Sequence, residues 1–284
     1  MAGDGGAHKH HAKIKTADSG MPIKQVATVG IVVAILGGGA LWMLNRAGED
    51  NKLNTMFASK DVRNISTSNG QSGDVTLSDG TKLKIGAATK LTIIPKYNEL
   101  YRGVKVEGTA GFDVKASANI PLEVRAAGAS LVINEGAFVV RSFPDESAAI
   151  IKLTSGTGEI RAKNVRRQLT APAAVTIATD STLTDADATA ADVATAWVDG
   201  KVVFKGITVK DVIPLFEKYY AMKLQVKDDA ILSRPVDMEA QIDSKSKAIS
   251  ALEASAHVKF TYDGTTPTLK DDPAGAAKAA AKKK

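Results

Sequence analysis

Hydrophobic and polar positions along this chain fall into three regimes. The first is an unbroken apolar run, Val26 to Leu44, VATVGIVVAILGGGALWML, 19 residues without a charged or amide side chain. At ~1.5 Å per helical residue it comes to just under the ~30 Å of a bilayer's hydrocarbon core. Because lipid cannot hydrogen-bond a bare backbone, the pattern predicts one transmembrane helix over 25–45, with Trp42 at headgroup level. Lys9, Lys13, Lys15 and Lys24 precede the run, whereas Arg46 is followed by Glu49 and Asp50, so the lysine excess places the N-terminal side in the cytoplasm and the bulk of the chain outside. The competing reading is a signal peptide, Val26 to Leu36 followed by Gly38-Gly39-Ala40 and a mature start at Leu41. Against it, Leu41-Trp42-Met43-Leu44 carries the run past signal-peptide length to Asn45-Arg46.

The second regime alternates with period two. Val75 and Leu77, Leu83 and Ile85, Leu91 and Ile93, Val104 and Val106, Phe112 and Val114, Leu122 and Val124, Leu131 and Ile133, and Phe138 and Val140 are spaced as the inward residues of short strands. Asp79-Gly80, Gly103, Gly108, Gly128, Gly136 and Gly156 punctuate them, and Asp79-Gly80 reads as a hairpin turn of type I′. The pattern predicts an all-β domain, solenoid- or sandwich-like, over 74–178. Polar residues 46–73 before it read as a tether, and the Thr, Asp and Ala run of 179–195 after it as a linker.

In the third regime the period switches between two and 3.6. Lys201 to Lys205 reads as a strand, Thr208 as the cap of a helix with Asp211 three places on, and Val212, Phe216, Tyr219 and Tyr220 as its buried face. Pro214 inside that helix implies a bend. Met222 to Lys227 returns as a strand. The order then recurs: Pro235 to Ala240 as strand, Asp243 or Ser244 as cap, Ile249, Leu252 and Ala256 along a helix, and His257 to Tyr262 as strand. Residues 196–270 are thus expected to form a small α+β domain of two β-α-β units. The remaining ends, 1–24 and 271–284, have no apolar periodicity and read as a disordered cytoplasmic tail and an Ala/Lys-rich tail.

Composition narrows the function. Most of the net charge of +6 sits in the two tails: removing four Lys and two Asp from each leaves 29 basic against 27 acidic residues, so the near-neutral body has no electrostatic footprint for nucleic acid. The absence of cysteine excludes disulfides, thiol catalysis, zinc-thiolate sites and a lipoprotein anchor. His8, His10 and His11 form a polar tail cluster without an acidic second shell. Asp185 to Ala196 begins like a calcium loop but has Ala190 where Gly is needed and Ala196 where a bidentate Glu belongs. His257, the one histidine of the expected folded region, lies opposite Val258, Phe260 and Tyr262 in the alternation and reads as solvent-facing. Gly156-Thr157-Gly158 is no phosphate-binding loop. The residues therefore predict no enzyme, no catalytic, cofactor-binding or metal site, no cofactor and no small-molecule substrate.

VTLSDGTKLKIGAATKLTI from Val75, RGVKVEGTAGFDV from Arg102, PLEVRAAGASLVINEGAFVVRSF from Pro121 and LTSGTGEIRA from Leu153 together resemble the periplasmic domain of the FecR family. WVDGKVVF, Trp197 to Phe204, continues the resemblance into a C-terminal module similar to the short N-terminal domain of secretins and TonB-dependent receptors. Typical members carry a helical anti-sigma domain where this chain has Met1 to Lys24. They also have Gly-Thr where it has Gly136-Ala137, and Pro-Gly where it has Ala171-Pro172-Ala173. The resemblance implies a single-pass protein of the bacterial inner membrane, its bulk periplasmic, relaying an envelope signal toward sigma-factor control by protein contacts. Its implied partners are the signalling domain of a TonB-dependent receptor or another envelope protein, and a sigma factor or a separate anti-sigma protein. The alternative is an envelope adaptor that uses the same modules without signalling. On either reading the C-terminal module, with Lys201, Lys205, Lys223, Lys227 and Lys259 on its strands, is the expected partner-binding end.

Overall fold

The alternating runs of the second regime become strands, three of which are long enough to join neighbouring runs. The computed structural model describes residues 52–117 and 120–275. In order, the strands are β1 (Arg63–Ser66), β2 (Gly73–Thr76), β3 (Lys82–Ile85), β4 (Lys90–Ile93), β5 (Arg102–Val114), β6 (Leu122–Ala126), β7 (Ala129–Ser142), β8 (Ala148–Ala162), β9 (Val165–Thr170), β10 (Ala173–Ala178) and β11 (Leu183–Asp185). A helical stretch, α1 (52–57), precedes them.

Pairing shows how one sheet makes a two-layered sandwich. Residues 102–107 of β5 lie between β4 and β6, whereas its residues 108–114 lie between β3 and β7. β7 passes from β6 to β5, and β8 from β10 to β9, in the same way. The long strands thus bend from one layer to the other around one core, in which the rings of Phe112 and Phe138 stack 4.7 Å apart. The bends fall at Gly108, Gly136 and Gly156, with φ of +122°, +131° and +85°. Only glycine adopts such angles without strain. Where alternation alone suggests strand ends at these glycines, the structure has strand corners. Asp79-Gly80 also differs from the expectation. Leu77 N–H donates to the Thr81 carbonyl at 2.9 Å, so the loop has three residues, and only Gly80 has positive φ. The two-residue turn with positive φ at both positions is Ala127-Gly128.

The stretches expected as tether and linker are structured where described. β1 pairs with β4 inside the expected tether, and 179–195 contains β11 and α2 (Ala188–Thr195), which Asp187 caps by accepting from Ala190 N–H at 2.9 Å. A 3-10 turn, Ala196–Asp199, leads to β12 (Lys201–Thr208), α3 (Val209–Tyr220), β13 (Gln225–Val226), β14 (Pro235–Gln241), α4 (Lys245–Ala256), β15 (Val258–Asp263) and β16 (Thr266–Asp271). The expected doubled β-α-β order is present, with one further strand. The sheets are two: β12 pairs antiparallel with β14, and β16 lies between β13 and β15. The expected Met222 to Lys227 strand shrinks to two residues, and α3 runs through Pro214.

α3 starts as its sequence predicts. Asp211 N–H donates to Thr208 Oγ1 at 3.4 Å and Thr208 N–H to Asp211 Oδ2 at 3.0 Å, a reciprocal capping box. Thr208→Ala is expected to lower stability by about 0.5–2 kcal/mol, read by urea denaturation.

The expected fold class is corrected in one part. Among the described residues no helix is long and apolar enough to cross a membrane; α3 and α4 have 12 residues each, against the ~20 a span requires. The apolar run Val26 to Leu44 lies outside the described residues, and the transmembrane helix is not supported. What the structure carries is a β-sandwich followed by a small α+β module.

Candidate functional site

The two most distinctive β-domain stretches meet in a buried ionic node. Arg102, at the start of β5, has a fully buried side chain whose guanidinium lies 2.6 Å from Asp79 Oδ2. It also donates to Thr81 Oγ1 at 3.1 Å, to the Lys115 carbonyl at 3.1 Å and to the Ile120 carbonyl at 3.0 Å. Asp79 accepts in addition from Thr81 N–H at 2.9 Å, Thr81 Oγ1 at 2.8 Å and Tyr97 Oη at 3.0 Å. Burial pushes the Asp79 carboxyl up, but the Thr81 hydrogen bonds, the Arg102 charge and the Tyr97 hydroxyl together hold it below its ordinary value. The Ser-Asp-Gly-Thr turn and the Arg-Gly start of β5 thus depend on each other: one side chain closes a hairpin, a strand start and the β5–β6 loop. This node is architecture: every hydrogen bond and ion pair described for it is made within its own chain, although the buried Arg102 Nε has no partner among the described residues.

A second cluster fastens the α+β module to the sandwich. Arg141 on β7 donates to both carboxylate oxygens of Glu146, at 2.6 and 3.0 Å, and to Tyr219 Oη of α3 at 2.5 Å. Lys218 bonds Asp145 at 2.9 Å and lies 4.1 Å from the centre of the Phe143 ring; its hydrogen bond holds the Asp145 carboxyl below its ordinary value. Nearby, Gly70 N–H donates to the Lys218 carbonyl at 2.7 Å, and Lys84 Nζ to the Val198 carbonyl at 2.7 Å. Trp197 completes the joint. Its ring lies over Gly86, where an added Cβ would come within 3.2 Å of it, and it belongs to the same apolar cluster as Val139 on the outer face of β7. The described residues from Leu53 onward form one compact unit. The helical spacing of Tyr219 predicts a core residue, and nothing in that spacing reveals the partner 78 residues away. Arg141→Ala should lower stability by about 1–3 kcal/mol, and limited proteolysis should then cut earlier in the 143–147 hairpin.

Two cavities flank this joint. One, of about 540 Å³, lies on the outer face of β3, β5 and β7 under Thr195, Val198 and Asp199. The other, of about 370 Å³, lies between α2, α3 and β12, with Trp197, Leu215 and Phe204 among its walls. Lys201 and Lys205, expected to mark the docking end, both line the second. Lys223 is exposed, Lys227 pairs with Asp263 at 2.6 Å and Lys259 with Glu253 at 3.3 Å.

The expected non-sites resolve as follows. His257 stands before β15 rather than on it, half-buried, as the C-cap of α4 with φ of +51°. Its carbonyl accepts from Arg234 at 2.7 Å. The calcium-loop stretch runs from the end of β11 through the whole of α2. His8, His10 and His11 lie outside the described residues, and among those described no group of three or more His, Cys, Asp or Glu could hold a metal ion.

Residues 63–159, which contain the ionic node and most of the sandwich, match the family described as FecR protein. Two crystal structures of a candidate anti-sigma factor from Parabacteroides distasonis ATCC 8503 superpose on the chain with a TM-score of 0.62 each, at 21% and 20% identity. Each covers 74% of this chain and 99% of its own, so the shared fold extends past the FecR segment into the α+β module. No curated protein matches the chain significantly by sequence.

Proposed function

We propose that this chain, whose residues 63–159 are of the FecR type, takes part in sigma-factor control by protein contact, without chemistry of its own. It acts on the periplasmic side of a bacterial inner membrane, receiving an envelope signal from the signalling domain of a TonB-dependent receptor or another envelope protein. It passes that signal to a sigma factor or to a separate anti-sigma protein. The C-terminal module receives the partner. The observation that supports this reading is the joint itself: Arg141, Tyr219 and Trp197 bind the module to the sandwich, so a force or tilt applied to one is carried to the other.

Deleting the coding region should change transcription of the genes under one sigma factor, and affinity purification should recover an envelope protein that depends on the C-terminal module. An unchanged transcriptome together with a recovered secretion or assembly component would replace this reading with the adaptor. Ending the chain near Thr179 is a poor test of the module, because it removes β11 and uncovers Val139. Surface substitutions are the better instrument.

A further inference from the structure

Among the described residues β12 is paired along one edge only, and its backbone alternation says which groups are offered. Ile242 N–H donates to the Gly200 carbonyl at 2.9 Å, and the register continues Val202↔Ala240 and Phe204↔Met238. In an antiparallel ladder the bonded pairs alternate, so Gly200, Val202 and Phe204 turn their backbone groups toward β14, while Lys201 and Val203 turn theirs away. β12 pairs with no other strand among the described residues, and Lys201 and Val203 line the 370 Å³ cavity. Trp197, also in its lining, is 4% exposed, and its buried indole N–H has no hydrogen-bond partner among the described residues. Such a buried donor is costly to leave unpaired. An unpaired strand edge with an apolar cavity beside it is what an incoming strand would complete.

Charge and alternation specify that strand. Val202 and Phe204 are buried toward the module's core, while Lys201, Val203 and Lys205 lie on the opposite side of β12. Lys205 is exposed and has no ion pair among the described residues; Lys201 is shared with Glu239 at 2.7 Å on the neighbouring strand. We infer that β12 binds an extended segment of the partner protein in which apolar residues alternate with acidic ones. Its apolar side chains enter the cavity between Trp197 and Leu215. Its backbone pairs with Lys201 and Val203, and its carboxylates lie against Lys201 and Lys205. This rests on the proposed function only for which protein supplies the segment.

The test is direct binding of a labelled peptide with the core Glu-Leu-Thr-Leu-Glu to the purified full chain, followed by fluorescence anisotropy. Saturable binding is expected, weakened about tenfold or more when the central backbone amides are N-methylated or the acidic and apolar residues are interchanged. Lys201→Glu with Lys205→Glu, both on the surface, should reject this peptide and accept its Lys-Leu-Thr-Leu-Lys counterpart. Val203→Pro removes an N–H that the β14 ladder does not use, and should abolish binding with the circular dichroism unchanged. Absence of saturable binding, equal binding of the N-methylated peptide, or failure of the charge exchange to reverse preference would each overturn the inference. Because the readout involves no transcription, these results stand whether or not the deletion alters a sigma-factor regulon.

Discussion

Arg102→Met is expected to cost about 3–5 kcal/mol of folding stability, because it leaves the Asp79 carboxylate buried without its cation and three loop acceptors without their donor. Urea denaturation of the purified chain would measure it. The same node gives a pH signature with a definite sign. The Asp79 carboxyl is held below its ordinary value in the folded state, so its contribution is fully present above the unfolded carboxylate pKa of about 4 and is lost as pH falls through the lower folded value. In the Met variant the Arg102 charge no longer opposes burial, and the acid limb attributable to Asp79 should flatten. An unchanged midpoint, or an equally steep acid limb in the variant, would show that the sandwich does not depend on this node.

Gly136→Ala should be the most damaging of the glycine substitutions in the sandwich, at about 2–5 kcal/mol. The backbone there has φ of +131°, an angle that strains an L side chain, and the added Cβ would sit 2.2 Å from the Ser155 carbonyl oxygen of the paired strand. The clashing atom is backbone, so no rotamer change relieves it. Gly73→Ala is the control, since a Cβ added there would meet nothing within 4 Å and its φ is not positive. Thermal denaturation should separate the two variants clearly. Equal melting temperatures would mean that β7 does not turn its corner at residue 136.

Much of the β domain is legible in the sequence because alternation reports directly which side of a strand faces the core. Leu83, Ile85, Leu91, Val104, Val106, Phe112, Leu131 and Phe138 are all buried, as their spacing requires. Where two runs belong to one strand, alternation fails to say so, because a glycine between them looks the same at a corner and at a turn. Asp79 illustrates a different blindness. Its place before Gly80 marks a turn, but its partners include Arg102 and Tyr97, contacts that no local rule predicts. Trp197 stands out in the sequence only as part of a motif. Its indole donor, its seat over Gly86 and its place in the wall of a cavity appear only once β3, β7 and β12 converge.

By itself the sequence determined the local and periodic features: strands at period two, the α3 capping box at Thr208 and Asp211, the doubled β-α-β order and the near-neutral body. Each of these depends on neighbours within a few residues, or on a sum over all of them. Tertiary structure alone decided that 179–195 holds strand and helix rather than linker, that the module is bound to the sandwich through Arg141 and Tyr219, and that β12 pairs with β14 alone among the described residues. The physical reason is that an ion pair, a shared apolar face and an unpaired backbone edge are relations between groups far apart in the chain. Only the folded path sets their distances.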